Sequence, residues 1–405
     1  MILVLHLAIA LVLLWALSRA LGSLARKLGQ PAVMGEILAG ILLGPSLLGL
    51  YFPEAQAAIF PESSRPWIQL LAQVALGLYM FAQGAELDWK LVSARAATGI
   101  SVAGIVAPLA IGGALGLLMS GDARYFPAGV TPAQGALFLG VALAITAFPV
   151  LARIVEDRGL KGTPIGSLAL AAGAANDAVA WALFAAVQGS ALRVAAFGTA
   201  LIIALATLGR RALAWLADSD EAGRGSDSLR RAALLAGLFA ACVAAERTGL
   251  HAVFGAFAFG AILKRGRLAD WVHHKLGPLA GRWGVPVFFL YSGMNTKLAL
   301  LDSWGLVGIA LLVLLAASAS KALACSLAAR ASGFSVRESA GIGFLMNARG
   351  LMELILLNIG LAAGLISPTL FSILVVMAIG TTLLATPAFE LTRLGPAPEP
   401  SGARA

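Results

Sequence analysis

The segment "SLALAAGAANDAVAWALFAAV" (Ser167–Val187) decides the fold class of this chain. It is long enough to cross a lipid bilayer, which takes about 20 mainly apolar residues. Its most polar residues, Asn176 and Asp177, lie in the middle of the run. A carboxylate at the centre of a spanning helix is costly and usually functional. Asp177 is therefore a candidate site residue, and the question is which partner, proton or cation stabilises it.

The composition is that of an integral membrane protein. Of the 405 residues, 60% are hydrophobic and only 12% are charged, whereas a soluble domain carries roughly 25% charged residues. The basic residues are scattered over several short loops, which argues against a nucleic-acid partner. The N-terminal run "MILVLHLAIALVLLWALSRALG" has no basic region before its apolar stretch, so it is predicted to be the first transmembrane helix and not a signal peptide.

The apolar segments predict an all-α, polytopic membrane protein with about thirteen transmembrane helices. They lie near 2–22, 31–50, 67–86, 92–120, 133–155, 163–188, 192–215, 230–246, 250–264, 277–296, 303–330, 336–364 and 367–391. "VMGEILAGILLG" (Val33–Gly44) resembles "VFGAFAFGAILK" (Val253–Lys264), although glycine-rich helices can also look alike by chance. Two inverted six-helix repeats joined by a linker helix would explain this likeness and are common in secondary transporters.

The loops predict the orientation of the chain. Those after odd-numbered helices, together with the C-terminal tail, hold about 20 of the 29 Lys and Arg residues. By the positive-inside rule we expect an inner-membrane protein with its N-terminus outside and its C-terminus in the cytoplasm. The polar stretch Asp218–Arg231 is predicted to be a solvated loop. Residues 393–405 are predicted to be a disordered tail, with no soluble domain after the membrane part.

The stretch "VALAITAFPVLAR" (Val141–Arg153) predicts an interrupted helix in the first half. Pro149 cannot donate a backbone hydrogen bond, and its ring crowds the preceding turn. Thr146 carries a hydroxyl that could cap the broken end or face a cation. A simple structural kink at Pro149 is the alternative. Transporter sites lie at mid-membrane where such helices break, so this stretch is a candidate site.

The stretch "GFLMNARGLMELILLNIG" (Gly343–Gly360) predicts the second interruption, at Asn347–Gly350. Arg349 and Glu353 lie inside an otherwise apolar run, where charged groups are costly. They are four residues apart, so they share one helical face and can pair. Alternatively they offset the dipoles of the half-helices at the break. Snorkelling of Arg349 to an interface is less favoured, because the residue lies well inside its segment.

Asp177 is the strongest ion-pathway candidate. Burial favours its neutral acid, whereas a bound cation favours the carboxylate, so a proton and a cation compete for it. Asn176 adds an uncharged amide beside it. Lys321, in "AASASKALACSLAAR", is a fixed counter-charge, a proton carrier or a snorkelling lysine. The alternative for Asp177 is a purely structural partner of a buried Lys or Arg.

Three further residues have weaker cases. Glu36 lies in the second predicted helix, where it is either part of the ion pathway or structural. His251, in "RTGLHAVFGAF", follows Glu246 near a helix boundary, and a structural role is favoured over proton transfer.

Several motifs together resemble the monovalent cation:proton antiporter superfamily, in the branch with Kef-type, Nap-type and plant cation/proton exchangers. The motifs are "GQPAVMGEILAGILLGPSLLG", "AITAFPVLARI", "AAGAANDAVAW", "HAVFGAFAFGAIL", "PVFFLYSGM", "MNARGLMELILLNIG" and "GTTLLATP". The resemblance covers nearly the whole chain and implies crossed, discontinuous helices in a mobile core domain beside a dimerisation domain. We therefore expect residues 1–392 to form the transporter domain, with core helices near 92–188 and 303–391 and dimerisation helices near 2–50 and 192–264.

The resemblance also implies roles for site residues. It places the transported Na+ or K+ at Asp177, Asn176 and Thr146, with Lys321 and Arg349 as basic residues of the core. It implies an elevator-like homodimer, embedded in membrane lipids, that exchanges a monovalent cation for a proton. Electrogenic members often have two adjacent aspartates, so the Asn-Asp pair favours electroneutral exchange. No cofactor is expected, and no nucleotide or glutathione control.

Three rival functions remain at this stage. A ligand-gated K+ channel or uniporter would pass current without proton coupling. A sodium-coupled organic-anion symporter could use a similar inverted-repeat fold. An intramembrane enzyme is the third, but the sequence has no HExxH motif and no dense cluster of metal-ligating residues.

Overall fold

The computed structural model describes residues 2–87, 89–187, 191–221, 226–264, 266–294 and 303–394. Within these ranges the chain is helical, without β-strands. Eight helical segments in the described part are long and apolar enough to cross a bilayer. They are Ala32–Tyr51, Arg65–Ala85, Ala94–Met119, Pro132–Asp157, Ala196–Leu216, Asp227–Thr248, Trp304–Ala331 and Pro368–Leu391. The prediction of an all-α, multi-pass membrane protein is therefore confirmed, whereas the count of thirteen stays a prediction.

The described residues form twenty α-helices. They are α1 (Ile2–Lys27), α2 (Ala32–Leu43), α3 (Leu48–Tyr51), α4 (Pro53–Ile59), α5 (Arg65–Ala85), α6 (Ala94–Met119), α7 (Pro132–Ala144), α8 (Phe148–Asp157), α9 (Pro164–Val187), α10 (Ala191–Ala204), α11 (Arg210–Glu221), α12 (Asp227–Thr248), α13 (Ala252–Ala261), α14 (Arg267–Trp271), α15 (Gly277–Leu279), α16 (Val285–Met294), α17 (Trp304–Ala331), α18 (Val336–Met346), α19 (Leu351–Ala362) and α20 (Pro368–Leu391). A short 3₁₀ turn and three π-helical turns join some of them, at Trp89–Leu91, Leu205–Gly209, Val272–Leu276 and Ala280–Gly284.

The predicted solvated loop at Asp218–Arg231 is wrong at both ends. Helix α11 continues to Glu221, and α12 begins at Asp227. The Ser226 hydroxyl caps α12 by accepting a hydrogen bond from the Leu229 amide at 3.2 Å, and Asp227 adds a negative charge in the first turn. Both features stabilise a helix start, so the polar composition of this stretch does not exclude helix. The predicted tail 393–405 falls outside the described residues beyond Leu394.

The chain divides into two compact units, which are described separately. Unit 1 comprises Met1–Leu21, Gly35–Leu87 and Trp181–Lys297. Within it, α5 and α13 pack with their backbones in close contact. A Cβ atom on Gly84 would lie 2.2 Å from the carbonyl oxygen of Phe257. This small-residue contact is typical of helices packed in membranes.

His251 and Glu246 both serve the start of α13 in unit 1. The His251 ring accepts a hydrogen bond from the Val253 amide at 3.3 Å through Nδ1, and Glu246 accepts one from the Ala252 amide at 2.8 Å. These bonds satisfy two amides that a helix start leaves unpaired, which supports the structural reading of His251. Glu36 is buried in α2 of the same unit, and its part in an ion pathway stays a prediction.

Unit 2 comprises Gly22–Met34, Asp88–Ala180 and Leu298–Ala405. Glycines bring α6 and α7 together. A Cβ atom on Gly112 would lie 2.8 Å from Cα of Gly140, and one on Gly116 would lie 2.7 Å from Cα of Ala136. Helix α17 packs on α6 and α18. The naming of core and dimerisation helices stays a prediction.

The end of α8 in unit 2 binds the first residue of α2 and the backbone just before it. Asp157, the last residue of α8, accepts a hydrogen bond from the Ala32 amide at 3.2 Å. Arg158 donates to the carbonyl oxygen of Gly29 at 2.7 Å and forms an ion pair with Glu390 on α20. These bonds anchor the backbone from Gly29 to Ala32 on α8.

Candidate functional site

Both predicted helix interruptions are confirmed, and both lie in unit 2. The first helix ends at Ala144 and restarts as α8 at Phe148, with Pro149 in the first turn of the new helix. Proline suits this place because its missing N–H would be unpaired there anyway. The second helix ends at Met346 and restarts as α19 at Leu351. Each break frees backbone carbonyls at one helix end and amides at the next.

The two breaks contact each other. The Ala147 amide in the first break donates a hydrogen bond to the carbonyl oxygen of Ala348 in the second, at 3.0 Å. A Cβ atom on Gly350 would lie only 2.8 Å from the Val150 side chain. Glycine at this position therefore permits the close approach of α8 to the second break.

Two buried cations cover the carbonyl oxygens at the C-terminal end of α7. Arg349 donates to Ala142 at 2.8 Å and also to Leu143, and Lys321 donates to Ala144. Positive charge is favourable at this negative end of the helix. Both side chains are fully buried, so the snorkelling alternatives for Lys321 and Arg349 are wrong. Instead, both side chains donate to backbone carbonyl oxygens at the first break.

Arg349 and Glu353 pair as their spacing predicts. The guanidinium Nη1 and the carboxylate Oε1 lie 3.7 Å apart, and both side chains are 0% exposed. Glu353 lies in the first turn of α19, where a negative charge is favourable. Mutual pairing and the compensation of helix dipoles, which were alternatives on the sequence, therefore occur together.

Asp177 lies on α9 with its carboxylate at the start of α8. Its Oδ2 accepts a hydrogen bond from the Phe148 amide at 3.3 Å, and the side chain is 0% exposed. Its Oδ1 has no hydrogen-bond partner among the described residues. A buried carboxylate with one oxygen unpaired is costly unless a further group stabilises it. A proton or a cation on Oδ1 would supply that stabilisation.

Asn176 connects the first break to Lys321. Its Oδ1 accepts hydrogen bonds from the Thr146 hydroxyl at 3.0 Å and from the Lys321 ammonium at 3.2 Å, while Nδ2 donates to the Ser101 carbonyl at 3.4 Å. Thr146 is not the N-cap of α8, which is Ala147; its hydroxyl donates either to Asn176 or to the carbonyl oxygen of Met346 at 3.3 Å. All of these side chains are buried.

The structure thus brings the six predicted site residues to one region of unit 2. Asn176 accepts hydrogen bonds from both Thr146 and Lys321. Asp177 binds the first amide of α8. Arg349 donates to the end of α7 and pairs with Glu353. Sequence reasoning missed Thr382 on α20, which accepts a hydrogen bond from the Arg349 amide at 2.8 Å. The signal was the adjacent hydroxyls of "GTTLLATP", a stretch quoted only as a family motif.

Comparison with known proteins identifies the family of the chain. Residues 9–392 match the family model described as sodium/hydrogen exchanger, transmembrane. The chain is 36% identical over 400 residues to the Na(+)/H(+) antiporter NhaS4 of Synechocystis, covering 96% of this chain and 97% of that one. It is 30% identical over 406 residues to the Na(+)/H(+)-K(+) antiporter GerN of Bacillus cereus, covering 95% of both.

A solved structure supports the fold. The sodium proton antiporter MjNhaP1 of Methanocaldococcus jannaschii superimposes with a TM-score of 0.64 at 16% identity, over 98% of this chain and 99% of that one. The family is one of transporters and not of enzymes. The chain belongs to the sodium/hydrogen exchanger family, within the monovalent cation:proton antiporter superfamily.

Proposed function

We propose that the protein is a secondary active antiporter that exchanges a monovalent cation, Na+ or K+, for H+. One observation carries the proposal: Oδ1 of the buried Asp177 has no hydrogen-bond partner in the described part of the chain, at the point where two broken helices meet. Intramembrane carboxylates in such positions are typical of ion pathways and proton relays. Broken helices at the bilayer midplane are typical of the substrate sites of secondary transporters.

Competition for Asp177 supplies the coupling. The protonated acid needs no counter-charge, whereas the carboxylate accepts a hydrogen bond from one amide among the described residues and is stabilised further by a bound cation. Proton and cation are therefore alternative occupants of one oxygen pair. Thr146 and Asn176 offer neighbouring oxygens to the cation, although the Asn176 oxygen is shared with Lys321.

The charges around the site favour electroneutral exchange. With every group ionised, the two positive charges of Lys321 and Arg349 equal the two negative charges of Asp177 and Glu353. Asn176 adds no charge. One proton or one monovalent cation then gives the loaded carrier the same net charge. The membrane potential would act equally on both loaded forms, so we propose exchange of one cation for one proton.

The remaining features of the proposal follow from the family likeness and the sequence. We propose about thirteen transmembrane helices in two inverted repeats, an elevator-type movement of a core domain, and a homodimer in the inner membrane. The N-terminus lies outside and the C-terminus in the cytoplasm, as the distribution of Lys and Arg favours. The relatives are named as antiporters of Na+ and of Na+ and K+, so the proposal includes both ions.

The test is cation-driven proton movement in proteoliposomes. Na+, K+, Li+ or Rb+ added outside should dissipate a preset pH gradient with the wild-type chain, and Asp177→Asn should respond like protein-free liposomes. Asp122→Asn, which changes an exposed loop carboxylate, is the matched control and should behave like wild type. Normal exchange by Asp177→Asn would overturn the proposal.

Membrane-potential clamping separates the rival functions. Adding valinomycin with K+ clamps the potential, and an electroneutral exchanger should keep the same rate. A channel or uniporter would instead pass current with a reversal potential independent of pH. A sodium-coupled organic-anion symporter would accumulate a labelled organic anion, and uptake of such an anion would favour it.

A further inference from the structure

Thr382 on α20 holds the backbone of the second break. Its hydroxyl accepts a hydrogen bond from the Arg349 amide at 2.8 Å and donates to the Arg349 carbonyl oxygen at 2.6 Å, with the Ala378 carbonyl at 3.1 Å as a second acceptor. The side chain is buried. Arg349 lies between α18 and α19, where backbone groups lack the regular helical partners. One threonine side chain therefore satisfies both backbone polar groups of one residue.

The position of Arg349 matters beyond its own break. Its guanidinium donates to the last carbonyl oxygens of α7 and pairs with Glu353. The adjacent carbonyl of α7, at Ala144, binds Lys321, which in turn binds Asn176 beside Asp177. Buried hydrogen bonds, joined through the last residues of α7, thus connect Thr382 with the proposed ion site.

We propose that Thr382 is a positioning residue for cation/proton exchange: it fixes Arg349 so that the guanidinium covers the end of α7 while Asp177 changes its occupant. This inference rests on the proposed function. Without the Thr382 hydroxyl, the Arg349 amide and carbonyl are buried and unpaired. The break then rearranges, and the positive charge beside the first break moves with it.

The adjacent Thr381 provides a matched control. It lies on the same helix and is fully buried like Thr382, but its hydroxyl donates only to the carbonyl of Ala378 in its own helix, at 3.0 Å. Valine replaces threonine with nearly the same shape and removes the hydroxyl. The pair Thr382→Val and Thr381→Val therefore separates the bond to the break from the general cost of losing a buried hydroxyl.

The experiment measures exchange rates in proteoliposomes against cation concentration and pH. Thr382→Val should lower the rate by about tenfold or more, since unpaired buried groups are costly, and should change KM for the cation and the pH profile. Thr382→Ser, which keeps the hydroxyl, should restore wild-type kinetics. Thr381→Val should stay within about twofold of wild type, because its carbonyl acceptor keeps its helical hydrogen bond.

Each outcome has a definite reading. Wild-type KM and pH profile in Thr382→Val, or equal losses in Thr382→Val and Thr381→Val, would overturn the inference. If the valine variant does not fold, Thr382→Cys replaces it, since a thiol bonds weakly; unchanged kinetics in Thr382→Cys would also overturn it. Asp177→Asn is assayed alongside: normal exchange there defeats the proposed function itself, whereas an inactive Asp177→Asn with a normal Thr382→Val defeats only the role of Thr382.

Discussion

The first broken helix, α7–α8, carries no charged side chain at its break, whereas the second, α18–α19, carries both Arg349 and Glu353 there. The first break takes its charges from other parts of the chain: Lys321 of α17 and Arg349 of the second break cover the end of α7, and Asp177 of α9 binds the start of α8. The second break keeps its charges paired in place. The difference fits the proposed function, in which the second break is an electrostatic support and the first changes the partner of its carboxylate.

The largest expected effect comes from breaking the electrostatic support. Arg349→Met leaves Glu353 buried without a cation and uncovers the carbonyls at the end of α7. Removing one partner of a buried ion pair costs about 3–5 kcal/mol, so we expect a large loss of folded protein and a lower apparent Tm in detergent. The double variant Arg349→Met with Glu353→Gln should recover part of that loss, and a single variant as stable as wild type would contradict the comparison.

Removing the cation at the first break should cost less. Lys321→Met uncovers the Ala144 carbonyl, but the Asn176 oxygen still accepts from Thr146. We expect a loss of about 1–3 kcal/mol, measured as a smaller fall in apparent Tm than for Arg349→Met. A larger fall in apparent Tm for Lys321→Met than for Arg349→Met would show that the first break, and not the second, is the electrostatic support.

Crowding the neighbourhood of Asn176 sharpens the comparison further. A Cβ atom on Gly104 of α6 would lie 2.8 Å from Cys325 Sγ and 3.2 Å from Asn176 Nδ2. Gly104→Ala should therefore cost about 1–3 kcal/mol through overpacking and slow exchange. Gly99→Ala on the same helix, where nothing lies within 4 Å of a Cβ, should stabilise the protein by about 0.5–1 kcal/mol. Equal exchange rates in Gly104→Ala and Gly99→Ala would show that the close packing at Gly104 does not affect exchange.

The smallest effect is expected at an exposed ion pair. Arg124 hydrogen-bonds the side chain of Asp122 in the loop after α6 and holds the pKa of that carboxyl below its ordinary value. The stabilisation from a lowered acid pKa is present above the unfolded pKa, about 4, and is lost as pH falls through the folded value. At neutral and alkaline pH Asp122→Asn should leave both the exchange rate and its pH profile unchanged. A changed pH profile of exchange in Asp122→Asn would show that a titrating group outside the two breaks contributes to exchange.

The sequence predicted the breaks because their causes are local. Proline chemistry marks the stretch around Pro149, and charges in an apolar run mark Asn347–Gly350. The pairing of Arg349 with Glu353 follows from helical spacing alone. Asp177 was identifiable because a central carboxylate is costly in lipid whatever surrounds it.

The partners across the fold were not predictable in this way. Lys321 binds Ala144 and Asn176, which precede it by 177 and 145 residues. Backbone carbonyls have no sequence signature, so the covering of α7 by Lys321 and Arg349 depends on how the helices pack. Thr382 was missed for the same reason, because a hydroxyl in an apolar helix more often bonds its own backbone, as Thr381 does.

Helix α8 connects the proposed ion site at its first residue with the start of α2 at its last residue. Its first amide binds Asp177, and its last residue, Asp157, binds the first amide of α2. The ten residues of α8 span about 15 Å, and so short a helix moves as a rigid body. If the proposed change of occupant at Asp177 displaces the first turn, α8 carries that displacement to the segment from Gly29 to Ala32. The lengths of the hydrogen bonds from Asp157 and Arg158 would then depend on which ion Asp177 holds, although that ion lies at the other end of α8.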